Sequence, residues 1–129
     1  MNIEICTELY TPKLLRANPD KVFTFGDNMK GFGKAGQAVI RDEPNAFGIP
    51  TKRYPSKDNW AYFSDKEDER MSVIVSLRKL YLIGQSKVIV FPSGGIGTGL
   101  AMMKERSPKL FDEMNGILKE FFGFDNQCV

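Results

Sequence analysis

Two glycine-rich stretches carry the residue types best suited to chemistry. The first is Gly26-Asp27-Asn28-Met29-Lys30-Gly31-Phe32-Gly33-Lys34-Ala35-Gly36, and the second is Ser93-Gly94-Gly95-Ile96-Gly97-Thr98-Gly99. Glycine has no Cβ to shield its backbone from an approaching group. Several amides turned one way form a concavity that binds anions. Ser93 to Gly99 is therefore expected to hold a phosphate or pyrophosphate, with Ser93 and Thr98 as hydroxyl donors. In the first stretch, Gly31, Gly33 and Gly36 would let the backbone come close to a ligand, with Lys34 beside them. Asp27 and Asn28 offer a carboxylate and an amide able to bind sugar hydroxyls. The same two residue types stabilise turns through their own side chains, and the sequence leaves both readings open.

Lys52 is the candidate reactive group. A lysine desolvated in a pocket loses its proton readily and acts as a nucleophile, whereas a basic residue at the surface is simply solvated. Phe32, Tyr54, Trp60, Tyr62 and Phe63 could stack on a base or fill a core. The acidic run Asp65 to Glu69 reads as the solvated first turn of a helix. The chain has no histidine, which excludes Ser-His-Asp and Cys-His nucleophile systems and histidine-based metal sites. Acid–base chemistry must then come from Asp, Glu, Lys, Tyr or water. Neither a metal nor a cofactor is expected.

Two familiar phosphate motifs fit poorly. Gly31-Phe32-Gly33-Lys34-Ala35-Gly36 matches G-x-G-x-x-G, but the dinucleotide fold needs a second strand ending in an acid about 20 residues on. Tyr54 to Asp58 is turn-rich instead. Gly26-x4-Gly31 is followed by Phe32 and Gly33, not by the Lys and Ser/Thr of a P-loop.

The elements that must position these residues follow from pattern. Asn2 to Cys6, Lys21 to Phe25, Phe47 to Thr51 and Lys87 to Phe91 read as strands, and Asn59 to Phe63 as a further short extended piece. The run at Lys87 to Phe91 lacks polar alternation, as in a strand covered on both faces. Thr11 would cap a helix opening at Pro12, and Gln37 to Arg41 reads as a short helix. Met71, Ile74, Leu77 and Leu80 recur at helical spacing within Lys66 to Ile83. Ser107 would cap a helix with Pro108 in its first turn, ended by Gly123. Strands alternating with helices predict an α/β fold with a largely parallel or mixed sheet. Ligands in such sheets bind outside the carboxyl ends of the strands. Both glycine loops follow strands, so one pocket built from both is expected.

Composition sets outer bounds. The 129 residues suggest one domain, 1–129, and 42% apolar residues suffice for a core without disulfide or metal. A net charge of +2 gives no global case for a nucleic-acid or membrane partner. Cys6 and Cys128, two isolated thiols behind an amino terminus unlike a signal peptide, point to a reducing cytoplasm.

At the two glycine loops the chain resembles macrodomains, the ADP-ribose-binding family. Gly26-Asp27-Asn28 running into Gly31-Phe32-Gly33-Lys34-Ala35-Gly36-Gln37-Ala38-Val39 resembles the family's early loop. Val90-Phe91-Pro92-Ser93-Gly94-Gly95-Ile96-Gly97-Thr98-Gly99-Leu100 resembles its diphosphate loop and is the more specific match. The resemblance runs over roughly Val22 to Phe122 and implies a three-layer α/β/α sandwich. It also implies ADP-ribose or a related NAD-derived nucleotide as ligand. The diphosphate would rest on the amides of Gly95 to Gly99, and Asp27 and Asn28 would meet the ribose hydroxyls or the adenine amine.

Within the family the chain looks most like the branch of terminal ADP-ribose protein glycohydrolase. Lys52 in Ile49-Pro50-Thr51-Lys52-Arg53 matches that branch's nucleophile. The aspartate that follows its diphosphate loop is Ala101 here, which leaves Asp27 as the substitute acid–base group. The small size and Arg41-Asp42-Glu43-Pro44-Asn45 resemble macrodomain-like proteins of tailed bacteriophages, which would place the protein in the host cytoplasm. The resemblance therefore implies either removal of ADP-ribose from modified protein or binding without turnover. Pro92-Ser93-Gly94-Gly95-Ile96-Gly97-Thr98 partly fits a third pattern, the P-x-G-G-x-G-T loop of lysine-decarboxylase-like nucleotide proteins. That loop is followed closely by a glutamate, and the first one here is Glu105.

Overall fold

The computed structural model describes residues 1–126. Cys128 lies outside the described residues. The core is a four-stranded, wholly parallel sheet of β1 (Ile3–Cys6), β2 (Lys21–Asn28), β3 (Ala46–Lys52) and β4 (Val88–Pro92), in the order β1-β4-β2-β3. The α/β character expected from alternating strands and helices is present. β2 runs further than its apolar core suggests. Pairing with β3 continues through Asn28, with a register shift between Asp27 and Asn28, so the start of the first glycine stretch is strand. Asn59 to Phe63 is not a strand. It forms a 3-10 turn over Asn59–Ala61 and then a single antiparallel bridge from Tyr62 to Lys52. The segment after the first loop is likewise a 3-10 turn, Gly36–Ile40, and not an α-helix.

Alternate side chains of the central strands enter two separate apolar clusters. Val22, Ile49, Ile89 and Phe91 pack with α2 (Glu67–Ile83) and α4 (Pro108–Phe122), through Val73, Leu77, Leu80, Leu110, Met114 and Leu118. Phe23, Phe25 and Val90 pack instead with Tyr10, Ala38, Ile40 and Leu15 of α1 (Pro12–Arg16). Burial on both faces explains why β4 shows no polar alternation. Each fully buried Leu, Ile or Phe contributes about 1.5–3 kcal/mol. Among the described residues no helix is long and apolar enough to cross a membrane.

The helix ends show where local pattern suffices and where it does not. The Thr11 hydroxyl accepts the Leu14 amide at 3.1 Å, as a capping residue should. Gly123, with φ +66°, closes α4 in the left-handed region. Ser107 stands at the start of α4, yet its hydroxyl donates back to the Met103 carbonyl. Asp65 takes over the capping, accepting the Leu110 amide at 2.8 Å and the Lys109 amide at 3.4 Å from 45 and 44 residues away. The run Asp65 to Glu69 is also not uniformly solvated. Glu69 is fully buried, and its carboxylate accepts from Arg53 Nε at 2.6 Å and from the amides of Ser64 and Lys66. Arg53 also holds Asp68, so it is a structural cation and not a solvated one.

Chain connections leave β2 and β4 on opposite sides of the sheet. The turn after β2 packs on the face of Phe25, and α4 packs on the face of Phe91. Two neighbouring strands whose connections diverge open a crevice at their carboxyl ends. The two glycine loops follow these strand ends.

Candidate functional site

The first loop is held by its own polar side chains. Asn28 is buried; its Oδ1 accepts the amides of Lys30 and Gly31, and its Nδ2 donates to the Phe32 carbonyl at 2.8 Å. It shapes the loop instead of offering its amide to a ligand. Asp27 forms a 2.6 Å ion pair with Arg41, both side chains largely shielded from water. Arg41 also donates to the carbonyls of Gly33 and Phe32 and lies over the Phe25 ring. Lys34 pairs with Asp42 at the surface. Gly31, Gly33 and Gly36 all have positive φ, +72°, +96° and +58°, a region that costs a residue with a Cβ. These three glycines are thus required by the loop's path, independently of any ligand.

The second loop divides into a fixed half and an open half. The Gly95 amide donates to the Pro92 carbonyl, and the Ile96 amide donates to Asn126 Oδ1 at 2.8 Å. Asn126 Nδ2 returns a bond to the Ile96 carbonyl, also at 2.8 Å, and the Ile96 side chain is wholly in the core. The amides of Gly95 and Ile96 are therefore spent within the chain, against the expectation that they meet a diphosphate. The Thr98 hydroxyl is likewise used, donating to the Gly94 carbonyl. In contrast, the amides of Gly97, Thr98, Gly99, Leu100 and Ala101 have no acceptor among the described residues. Gly94 and Gly99 have open space where a Cβ would stand, whereas a Cβ on Gly97 would overlap the Met103 sulfur. The Ser93 side chain is exposed beside them.

Gln37 joins the two loops. Its Oε1 accepts the Gly26 amide at 2.9 Å, and its Nε2 donates to the Gly95 carbonyl at 2.8 Å. Leu100 comes within van der Waals reach of the Gly36 α-carbon's missing side chain. The loops expected to share a pocket do stand together. Yet a surface groove of about 550 Å3 lies on the β3–α2 side and takes in Asp27, Asn28, Lys30 and Gly31 but nothing of the second loop. Asp27 Oδ1 and both polar atoms of the Asn28 side chain are already bonded within the chain.

Lys52 ends β3, beside a different set of neighbours. Its ammonium donates to the Ser56 carbonyl at 2.5 Å and lies 4.5 Å from the Tyr62 ring centre. Burial, helped by the nearby Lys57 charge, pulls its pKa down. Asp27 forms no ion pair with it, being held by Arg41. The two residues expected to cooperate in catalysis are thus engaged separately. Ala101 is buried in the main apolar cluster, so the position matching the glycohydrolase aspartate is a packing position here. Among the described residues no group of three or more Cys, Asp or Glu is placed to hold a metal ion.

Sequence reasoning passed over three organising side chains: Gln37, Arg41 and Asn126. Only Gln37 and Arg41 had a local signal, lying directly after a glycine loop; Asn126 acts across 30 residues. No curated protein and no solved structure matches the chain. A family model described as a family of unknown function, DUF7831, matches residues 5–117. With that span covered, the chain belongs to the DUF7831 family.

Proposed function

We propose that the protein binds ADP-ribose or a related NAD-derived nucleotide, with its diphosphate on the second glycine loop, in a macrodomain-like three-layer sandwich. The observation that carries the reading is the run of five amides, Gly97 to Ala101, without an acceptor in the described chain. Hydrogen bonds to an anionic acceptor contribute about 1.5–3 kcal/mol each, so the loop amides would supply a substantial share of the about −8 kcal/mol that micromolar binding requires, with contacts to the rest of the nucleotide meeting the cost of association. The loop's place at the diverging ends of β2 and β4 supports the same reading.

Binding without turnover fits the side chains better than hydrolysis. Asp27 is neutralised by Arg41, and Ala101 supplies no acid. Hydrolysis of an ADP-ribosyl linkage on a modified protein is the second reading. It is favoured by the depressed pKa of Lys52, which eases loss of the proton that masks its nucleophilic lone pair.

Thermal shift with ADP-ribose, NAD, AMP and cyclic ADP-ribose tests binding. A ligand at about 100 times its Kd adds about 2.7 kcal/mol of stability. Gly99→Pro removes an amide that no described carbonyl uses, at a position with open space around it. It should abolish the shift given by ADP-ribose while leaving the unliganded protein folded. No shift with any nucleotide would end the proposal. Turnover of ADP-ribosylated protein by wild type but not by Lys52→Ala would select hydrolysis over simple binding.

A further inference from the structure

We infer a second, separate site: a nucleoside 5′-phosphate subsite in which Lys52 and Arg106 hold the phosphate and Trp60 stacks on the base. Lys52 Nζ and Arg106 Cζ both lie against the Tyr62 ring, 4.5 Å and 4.2 Å from its centre. Neither cation has a carboxylate within ion-pair distance among the described residues. Their hydrogen bonds go to neutral oxygens, Lys52 to the Ser56 carbonyl and Arg106 to Asn59 Oδ1.

Four other arginines differ in this. Arg16, Arg41, Arg53 and Arg70 each hold a carboxylate. Lys52 also feels the positive charge of Lys57. An anion beside these cations would relieve their uncompensated charge. Arginine offers a planar fork that suits a phosphate, and lysine a mobile point charge.

The neighbouring rings specify the rest of the ligand. Trp60 is 61% exposed and lies tilted on Tyr54 at 5.3 Å, and Phe32, 46% exposed, meets Tyr54 edge-on at 5.1 Å. Large exposed rings beside cations form the stacking platform that nucleobases use. Tyr62, which bridges the cations, is buried and acts as their support. The site is distinct from the amides of the second loop and does not depend on a ligand there.

The chain has one tryptophan, so fluorescence reports on the platform directly. AMP should quench Trp60 saturably. Adenosine, which lacks the phosphate, should bind about tenfold or more weakly. Arg106→Gln should weaken AMP by about tenfold, as loss of a charge-assisted bond predicts, with an unchanged melting temperature. Gly99→Pro should leave AMP quenching intact, which separates this site from the loop amides. A tetranucleotide bound more tightly than AMP would identify a strand as the source of the nucleotide, and equal binding a free nucleotide. Absence of quenching by both, equal binding of AMP and adenosine, or an Arg106→Gln protein that binds AMP like wild type would overturn the inference.

Discussion

The side-chain amide of Gln37 donates to the Gly95 carbonyl at 2.8 Å, across 58 residues of sequence. Its other end accepts the Gly26 amide at 2.9 Å, so one glutamine sets the distance between the ends of β2 and β4. Gln37→Ala removes both bonds and leaves a half-buried amide and carbonyl without partners. We expect a stability loss of about 1–3 kcal/mol in a urea titration. Faster hydrogen exchange at Gly94 to Ala101 should accompany it. Exchange unchanged from wild type would show that the second loop holds its shape without the tie.

Arg41 plays the same part within the first loop. It neutralises Asp27 and gathers two loop carbonyls. Arg41→Ala leaves the shielded Asp27 carboxylate unpaired, which is expected to cost about 3 kcal/mol. The double variant Arg41→Ala with Asp27→Ala should recover part of that loss, because the stranded charge goes with it. Chemical denaturation of the two proteins reads the difference.

Asn126 anchors the fixed half of the second loop. Asn126→Asp keeps the acceptor for the Ile96 amide but turns the donor into an oxygen facing the Ile96 carbonyl and Asn115 Oδ1. Two buried donor bonds become oxygen–oxygen contacts, so a loss of about 2–4 kcal/mol is expected. The same substitution should loosen the loop and weaken diphosphate binding. A melting curve like that of wild type would contradict the assigned contacts.

Acid should weaken the fold through Arg53. Its guanidinium holds the Asp68 carboxyl below the ordinary carboxylate range. A depressed folded pKa gives stability that is present above the unfolded value, about pH 4, and lost as pH falls through the lower folded value. The melting temperature should fall below about pH 4, and Asp68→Asn should flatten that limb. Asp68 is exposed, so the slope is shallow.

Alkali should act through Tyr10. Burial pushes its phenol well above the ordinary tyrosine pKa, and its hydroxyl donates to the Thr24 carbonyl at 2.8 Å. Below about pH 10 the phenol is neutral in folded and unfolded chains alike. Above it the unfolded chain releases the proton and the folded chain keeps it, so stability falls as pH rises. Tyr10→Phe should remove this alkaline loss, at a cost of about 1 kcal/mol at neutral pH from the missing hydrogen bond. Ultraviolet titration of tyrosinate during unfolding follows the change.

Local pattern alone accounted for much of the molecule. The strands, the long helix from Glu67 to Ile83, the Thr11 cap and the Gly123 stop all rest on spacing and on φ preferences of single residues, which act within a few positions. The glycine loops were legible for the same reason, because positive φ at Gly31, Gly33 and Gly36 is a property of the residue itself. Partner choice was not legible. Asp65 caps a helix 45 residues away, Glu69 is buried under Arg53, and Asn126 takes the Ile96 amide that a ligand was expected to use. Asp27 and Lys52, expected to act together, are claimed by Arg41 and by Tyr62 with Ser56. A side chain's type states which bonds it can make, and its sequence neighbours state the backbone it sits on. Which long-range donor or acceptor arrives is decided by packing of the two sheet faces, because that packing sets which polar groups meet where water cannot satisfy them.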